Sequence, residues 1–383
     1  MKNESKIVHI ISSLGDGGAE GALYRLVIND KSDCKHEIVS FISGGKYSKI
    51  FKSQDIKVTE LNQVQGKISF LVFIKLFRYL SNVKPDVVQT WMYHADLIGG
   101  VIAKIIKIKH IVWNVRTSFL TGDSIKFSTK VVVRLCSFFS KNIPDKIITC
   151  SNNAALFHKS IGYKSNFITI DNGFDKNKLY PSKSLRSYMR KKISVSDDTF
   201  LIGMIARFDP QKDHENAINA LTILKKSTKN FKCIFVGKDM DNSNSYIKNL
   251  LEKFNLVDNV ILFGQSININ EIMNAIDLHI LSSSYGEGFP NVVAEAMMCG
   301  TPCIVTNVGD SSRIVGNTGW VVEPNDSNLL SKSIENAIQV KSSSEKQWDK
   351  KCKNVANKAK VEFTIERMVS EYHKAWFGQD DKN

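Results

Sequence analysis

Short apolar runs alternate with longer segments of helical period along most of this chain, and the alternation occurs in two series. In the first, the runs at 7–12, 37–42, 56–61, 86–91, 110–115, 145–150 and 167–170 have the length and β-branched content of strands. Between many of them, 19–29, 70–80, 95–107, 126–141 and 152–160 place apolar residues three and four apart. Nearly continuous apolar strands separated by helices predict parallel sheets, because a parallel neighbour is reached only by a crossover and the crossing helices cover both faces. The pattern pauses at Asp171-Asn172-Gly173-Phe174-Asp175, a turn-rich pentapeptide, and at a polar, basic stretch around 176–198. It resumes with strands at 200–206, 232–237, 259–263, 277–282, 302–306 and 320–323, and with helices at 213–227, 244–255, 291–299 and 327–340. The expectation is an α/β chain of two doubly wound parallel-sheet domains, 1–175 and 176–362, facing each other across a cleft. A helix and tail at 363–383 should cap the structure and pack back on the first domain. Ligands of such sheets sit at the carboxyl ends of strands.

Composition removes several classes. With 383 residues, 43% hydrophobic and 23% charged, there is apolar material for a core in each domain, so disorder is excluded as the dominant state. Seven cysteines scattered over the chain do not make a disulfide framework. The close pair Cys299 and Cys303 flanks a Gly-Thr-Pro turn and has no zinc-spaced partner, so no metal is expected there. The N-terminus lacks an apolar signal core and no run of 18 uncharged apolar residues follows, which points to a cytoplasmic chain able to touch a membrane from that side. The net charge of +14 indicates an anionic partner. No helix-turn-helix, zinc-finger or basic-aromatic RNA module is present, so nucleic acid is not expected to be that partner.

Three segments carry chemistry. Gly15-Asp16-Gly17-Gly18-Ala19-Glu20 follows the first strand and opens a helix, a place where backbone N–H groups can meet a phosphate. Its spacing is not a dinucleotide fingerprint, and a plain strand-to-helix turn reads equally well. Arg207-Phe208-Asp209-Pro210-Gln211-Lys212 lies between a strand and a helix. Its two cations suit a diphosphate, Arg as a planar fork and Lys as a point charge, but two surface cations in a loop would look the same. The most informative block runs from Ser282 to Cys303. In it Glu287 lies in a Gly-Pro turn at a helix mouth, and Glu295 lies about one turn inside among Val292, Val293, Ala294, Ala296 and Met297. A carboxylate in that setting needs a partner, and a vicinal diol such as ribose offers two donors.

The block resembles the E-x7-E signature of retaining GT-B glycosyltransferases of the family-4, or group 1, type. The glycine-rich opening, Asn172-Gly173-Phe174-Asp175, Arg207 and Lys212 fall in the order found in that family. The resemblance implies a hexosyl or N-acetylhexosaminyl transfer, with retention, from a nucleotide-sugar, a UDP-sugar by preference, to a lipid-linked oligosaccharide or polysaccharide precursor. It implies Glu295 on the ribose hydroxyls and Glu287 beside the transferred sugar. Arg207 and Lys212 would clamp the diphosphate, with the backbone of Gly288, Phe289, Pro290, Asn291 and Val292 cradling sugar and phosphate. Gly17 and Gly18 would close on the diphosphate from the first domain. His94, after the strand at 86–91, would lie near the donor sugar. No cofactor is implied beyond the nucleotide-sugar co-substrate. Ala206 stands where the family often has glycine before the arginine. A sugar-nucleotide epimerase of the same architecture is the alternative enzyme.

Asp239-Met240-Asp241 has metal-binding spacing but lies in a polar loop where acidic residues are ordinary turn formers. Residues 1–175 hold 24 basic against 14 acidic residues, and 176–383 hold 28 against 24. The excess sits in the domain expected to bind acceptor. There the segments 70–80 and 126–141 combine apolar faces with cations, as an anionic membrane interface would require and as ordinary core-facing helices also do.

Overall fold

The computed structural model describes residues 5–64, 69–118 and 126–378. Residues 379–383 of the expected tail lie outside the described residues. The chain divides into two compact units, Met1–Gly173 with Ile365–Asn383, and Phe174–Thr364.

Among the described residues the first unit is built on seven strands, β1 (Lys6–Ile11), β2 (Lys35–Ser40), β3 (Lys57–Glu60), β4 (Val87–Trp91), β5 (His110–Val115), β6 (Lys146–Thr149) and β7 (Phe167–Thr169). All pair in parallel, in the order β3-β2-β1-β4-β5-β6-β7. Its helices are α1 (Gly18–Asn29), α2 (Lys46–Ser53), α3 (Phe70–Val83), α4 (Tyr93–Ile105), α5 (Phe127–Phe139) and α6 (Asn152–Ser160). The two-residue alternation of side chains along each strand divides the core. Val8, Ile10, Val88, Ile111 and Ile147 pack against α3, α4 and α5 on one face. Ile7, Ile11, Val87, Val112 and Ile148 face the other way, toward α1 and the C-terminal helix.

The second unit contains α7 (Lys183–Lys192), β8 (Phe200–Ile205), α8 (His214–Ser227), β9 (Phe231–Val236), α9 (Ser245–Lys253), β10 (Val260–Gly264) and α10 (Ile269–Ala275). It continues through β11 (Leu278–Leu281), α11 (Asn291–Met298), β12 (Cys303–Thr306), α12 (Ser311–Val315), β13 (Trp320–Val322), α13 (Ser327–Ser343) and α14 (Glu345–Glu362). Six parallel strands run in the order β10-β9-β8-β11-β12-β13. The basic stretch around 176–198, where the sequence pattern pauses, holds α7, whose charge has a structural use. Arg190, buried, donates to Asp277 at 2.6 Å, and Arg186 and Lys341 reach the other oxygen of the same carboxylate at 2.8 and 2.6 Å. A buried carboxylate is tolerated only with such partners.

The last helix, α15 (Ile365–Phe377), belongs to the first unit and is held there by polar bonds as well as by its apolar face. Tyr372 accepts from Asn114 at 2.7 Å, and the Trp376 indole donates to Gln89 at 2.9 Å. His373 lies 2.7 Å from Asp30, which also holds His36 at 3.0 Å. Burial pushes the Asp30 carboxyl up, but the bonds from His36, His373 and Ser32 outweigh it and hold the group well below the ordinary carboxylate range.

Candidate functional site

In both sheets the strand order reverses once, between β1 and β4 in the first unit and between β8 and β11 in the second. At such a reversal the two adjoining crossover helices leave toward opposite faces, which opens a crevice at the carboxyl ends of the strands. The segments singled out in the sequence follow these four strands.

In the second unit β8 runs into Ala206-Arg207-Phe208 and a single 3-10 turn, Pro210–Lys212. The Asp209 carboxylate caps this turn by accepting from Gln211 N at 3.0 Å. Burial raises the Asp209 pKa, while the Gln211 N–H and the Arg207 guanidinium bring it below its ordinary value. Asp213 then takes a left-handed conformation (φ 49°) and caps α8 through Asn216 N at 3.0 Å. The Ser282 hydroxyl, at the end of β11, lies 2.9 Å from the carbonyls of both Lys212 and Asp213. Ser284 N donates to Gln211 O at 2.9 Å. The turn after β8 is thereby fastened to the turn after β11.

Within that frame Lys212 Nζ stands 2.5 Å from Glu287 Oε1, and the Ser283 hydroxyl donates to the same oxygen at 2.5 Å. The Glu287 side chain is 6% exposed and that of Lys212 13%. The other cation differs. The Arg207 side chain is 56% exposed and bonds Asp209 at 2.9 and 3.0 Å. The two members of the proposed clamp thus sit in unlike settings: Lys212 is fixed by a buried carboxylate, and Arg207 is a solvated fork held by a neighbour in the same loop.

The Glu287 turn is shaped by glycines. Gly286 has φ 75°, and Gly309, with φ 60°, lies against the Glu287 carbonyl so closely that a Cβ would collide with it. Asp310 N donates to Gly288 O at 3.1 Å. The Phe289 ring points into the unit's own core, between Phe174 and Phe363 at 6.4 and 5.6 Å, so Phe289 can serve a ligand only through its backbone. Pro290 caps α11 without a side-chain acceptor, and the N–H groups of Asn291 and Val292 head the helix. Glu295 is half-buried on the same helix. One turn further on, the Cys299 thiol is pushed up to about 12, first by burial and then by the Glu295 charge.

Two buried histidines lie near Lys212. Burial, and then the Lys212 charge, push His279 in β11 down to about 3 and His214 at the head of α8 down to about 4, so both stay neutral near pH 7.

In the first unit Gly17 caps α1 and Gly18 is its first residue. The Glu20 side chain folds back over Gly17, where any Cβ would strike its carboxylate, and Ser13 donates to it at 3.4 Å. The helix mouth read as an anion site therefore already faces a carboxylate of its own helix. After β4, Met92 adopts φ 69°, ψ 160°, an uncommon conformation for a non-glycine residue, and His94 is the second residue of α4. His94 is half-buried and its pKa is lowered by burial. Two residues on, Asp96 is fully buried, accepts from the Thr90 hydroxyl at 2.5 Å, and is pushed up to about 7 by burial.

Asp239 and Asp241 stand in an exposed turn. Asp239 has φ 60°, and Asp241 accepts from Ser243 N at 2.8 Å, the role of a turn former. Cys303 is buried and donates toward the Val293 carbonyl at 3.8 Å. Sequence reading gave no role to Ser282, Ser283 and Gln211, although they lie in the segments it singled out, and it missed Gly309. The run of three serines after a strand was the available signal for the first two.

Comparison with known proteins adds to this geometry. Residues 186–361 match the family model described as glycosyl transferases group 1. The chain is 26% identical over 305 residues to the Escherichia coli UDP-Gal:alpha-D-GlcNAc-diphosphoundecaprenol alpha-1,3-galactosyltransferase, covering 77% of this chain and 76% of the relative. It is 24% identical over 320 residues to the Campylobacter jejuni N,N'-diacetylbacillosaminyl-diphospho-undecaprenol alpha-1,3-N-acetylgalactosaminyltransferase, covering 80% and 83%. Among solved structures, Anabaena HepE in complex with UDP superposes with a TM-score of 0.83 at 21% identity, covering 96% of this chain and 98% of that one.

Proposed function

We propose that this chain, whose residues 186–361 match the group 1 glycosyltransferases and whose two parallel-sheet domains have the GT-B fold, is a glycosyltransferase that moves a hexosyl or N-acetylhexosaminyl group from a UDP-sugar to a lipid-linked glycan precursor, with retention of configuration. The observation that carries this reading is the Lys212–Glu287 pair. It joins the two motif segments at the carboxyl ends of β8 and β11, where the strand order reverses. A cation beside a carboxylate suits a substrate that is a diphosphate on one side and a polyol on the other.

Breaking the bond between the sugar's anomeric carbon and the β-phosphate oxygen builds negative charge on the diphosphate and positive charge on the ring. Lys212, Arg207 and the N–H groups heading α11 meet the first charge, and fixed donors of this kind need no reorganisation at the moment of reaction. We read the reaction as metal-independent on that ground. Glu287 orients the sugar hydroxyls, Glu295 holds the ribose diol, and His94 serves the transferred sugar. The acceptor hydroxyl bonds to the anomeric carbon on the face the diphosphate leaves, and its proton passes to the departing phosphate oxygen. The UDP named with the HepE structure and the diphosphoundecaprenol acceptors named for the two bacterial relatives support the donor and acceptor classes.

The test is incubation of the enzyme with radiolabelled UDP-sugars and undecaprenyl-diphosphate-linked acceptors, with the product's anomeric configuration read by NMR. An α-linked product from an α-configured donor is expected. A free, altered nucleotide-sugar formed without acceptor would instead identify an epimerase.

A further inference from the structure

Helices α3, α4 and α5 lie side by side, α4 in the middle, over one face of the first unit's sheet. Their buried sides share one apolar cluster, so their outer sides all turn away from the sheet. The sequence of these three helices contains one acidic residue, Asp96, and it is fully buried. The outer side therefore presents no carboxylate from these helices. It does present cations: Arg78 on α3, Lys104 on α4, Lys107 just beyond it, and Lys130 and Arg134 on α5 are all exposed. None of the five has a carboxylate partner among the described residues.

Apolar side chains are exposed between these cations. On α5, Phe127 is 80% and Phe138 75% exposed, and Val131 and Leu135 continue the line between them. Positions i, i+4, i+8 and i+11 form one stripe along the whole helix, opposite the buried Val132, Val133 and Cys136. At the head of α3, Phe70 and Leu71 are exposed as well. A helix face with aromatic and aliphatic side chains whose charged neighbours on these helices are all Lys and Arg has the composition of a segment lying flat in a lipid interface, apolar groups below the headgroups and cations among them. Exposed aromatics in water have no such compensation.

We propose that the α3–α5 face of the first unit is the docking surface of this protein for an anionic lipid bilayer. The charge pattern selects this occupant, because a second copy of the same face would bring cations against cations. The heads of α4 and α5 follow the carboxyl ends of β4 and β5, so the docked face places the edge that carries His94 beside the bilayer. A lipid-linked acceptor would then be met at the surface that holds its lipid.

The experiment is sedimentation of the full chain with vesicles of phosphatidylglycerol and phosphatidylcholine, and with phosphatidylcholine alone, at low and high salt. Binding to the anionic vesicles only, weakened by salt, is expected. The variants Phe127→Ser/Phe138→Ser and Lys130→Glu/Arg134→Glu should each lower binding by about tenfold or more while keeping the wild-type melting temperature and its rise with UDP. Absence of wild-type binding at low salt, or equal binding by both variants, overturns the proposal. So does a concentration-dependent dimer that the same variants abolish, which would assign the face to a second copy. Loss of the UDP response with lipid binding intact would instead count against the donor-site reading and leave the docking face standing.

Discussion

Lys212 and Glu287, 75 positions apart in sequence, meet at 2.5 Å with the carboxylate almost wholly buried, and the Ser283 hydroxyl shares the same oxygen. A buried pair of this kind is costly to break from one side only, because the remaining charge has lost its partner. Lys212→Met should lower stability by about 3 kcal/mol and kcat/KM by about a hundredfold or more. Adding Glu287→Gln should restore much of the stability and none of the activity. Parallel denaturation and rate measurements on the two single variants and the double variant check this.

Gly309 tests how far the Glu287 turn depends on its neighbour. Its φ of 60° and its approach to the Glu287 carbonyl leave no room for a methyl group. Gly309→Ala should cost about 1–3 kcal/mol in stability. By displacing Glu287 it should also lower kcat by about tenfold or more. Ordinary activity in a destabilised variant would show that the turn tolerates displacement.

Asp96 predicts a pH dependence. Burial holds its folded-state pKa at about 7, above the unfolded value, so between the two the folded state binds the extra proton. Stability from this group is present below the unfolded pKa and is lost as pH rises through about 7. Asp96→Asn keeps an oxygen for the Thr90 hydroxyl and should flatten the decline in melting temperature between about pH 4 and 7. It should gain up to about 4 kcal/mol over the wild type at the alkaline end. An unchanged slope would place the titration elsewhere.

The C-terminal helix is expected to be integral to the first unit. Trp376 is buried and its indole is bonded to Gln89. Trp376→Ala should cost about 3–5 kcal/mol. Tyr372→Phe, which leaves the buried Asn114 amide without its acceptor, should cost about 1–3 kcal/mol. Urea unfolding of each variant gives the values.

Every one of the thirteen strands among the described residues was legible in the sequence, because buried parallel strands are apolar throughout and helices of regular period separate many of them. Five helices were not. α7 and α14 bury only a few side chains among many lysines, so the apolar period is faint; Arg190 of α7 is buried for Asp277, which no local pattern announces. α2, α10 and α12 are eight residues or shorter. At the candidate site Lys212 and Glu287, which the structure pairs, were singled out in the sequence. Ser283 and Gly309 were not, since one acts through a tertiary hydrogen bond and the other through an absent side chain. Met92 likewise gives no signal, because the need for a positive φ there comes from the strand-to-helix junction.

The most direct test of the donor site is calorimetric titration of the full chain with UDP. We expect the wild type to bind with a dissociation constant in about the micromolar range, and Glu295→Ala, which removes the carboxylate assigned to the ribose diol, to bind at least about tenfold more weakly at unchanged fold stability. Absence of binding by the wild type, or equal affinity in the variant, would contradict the account.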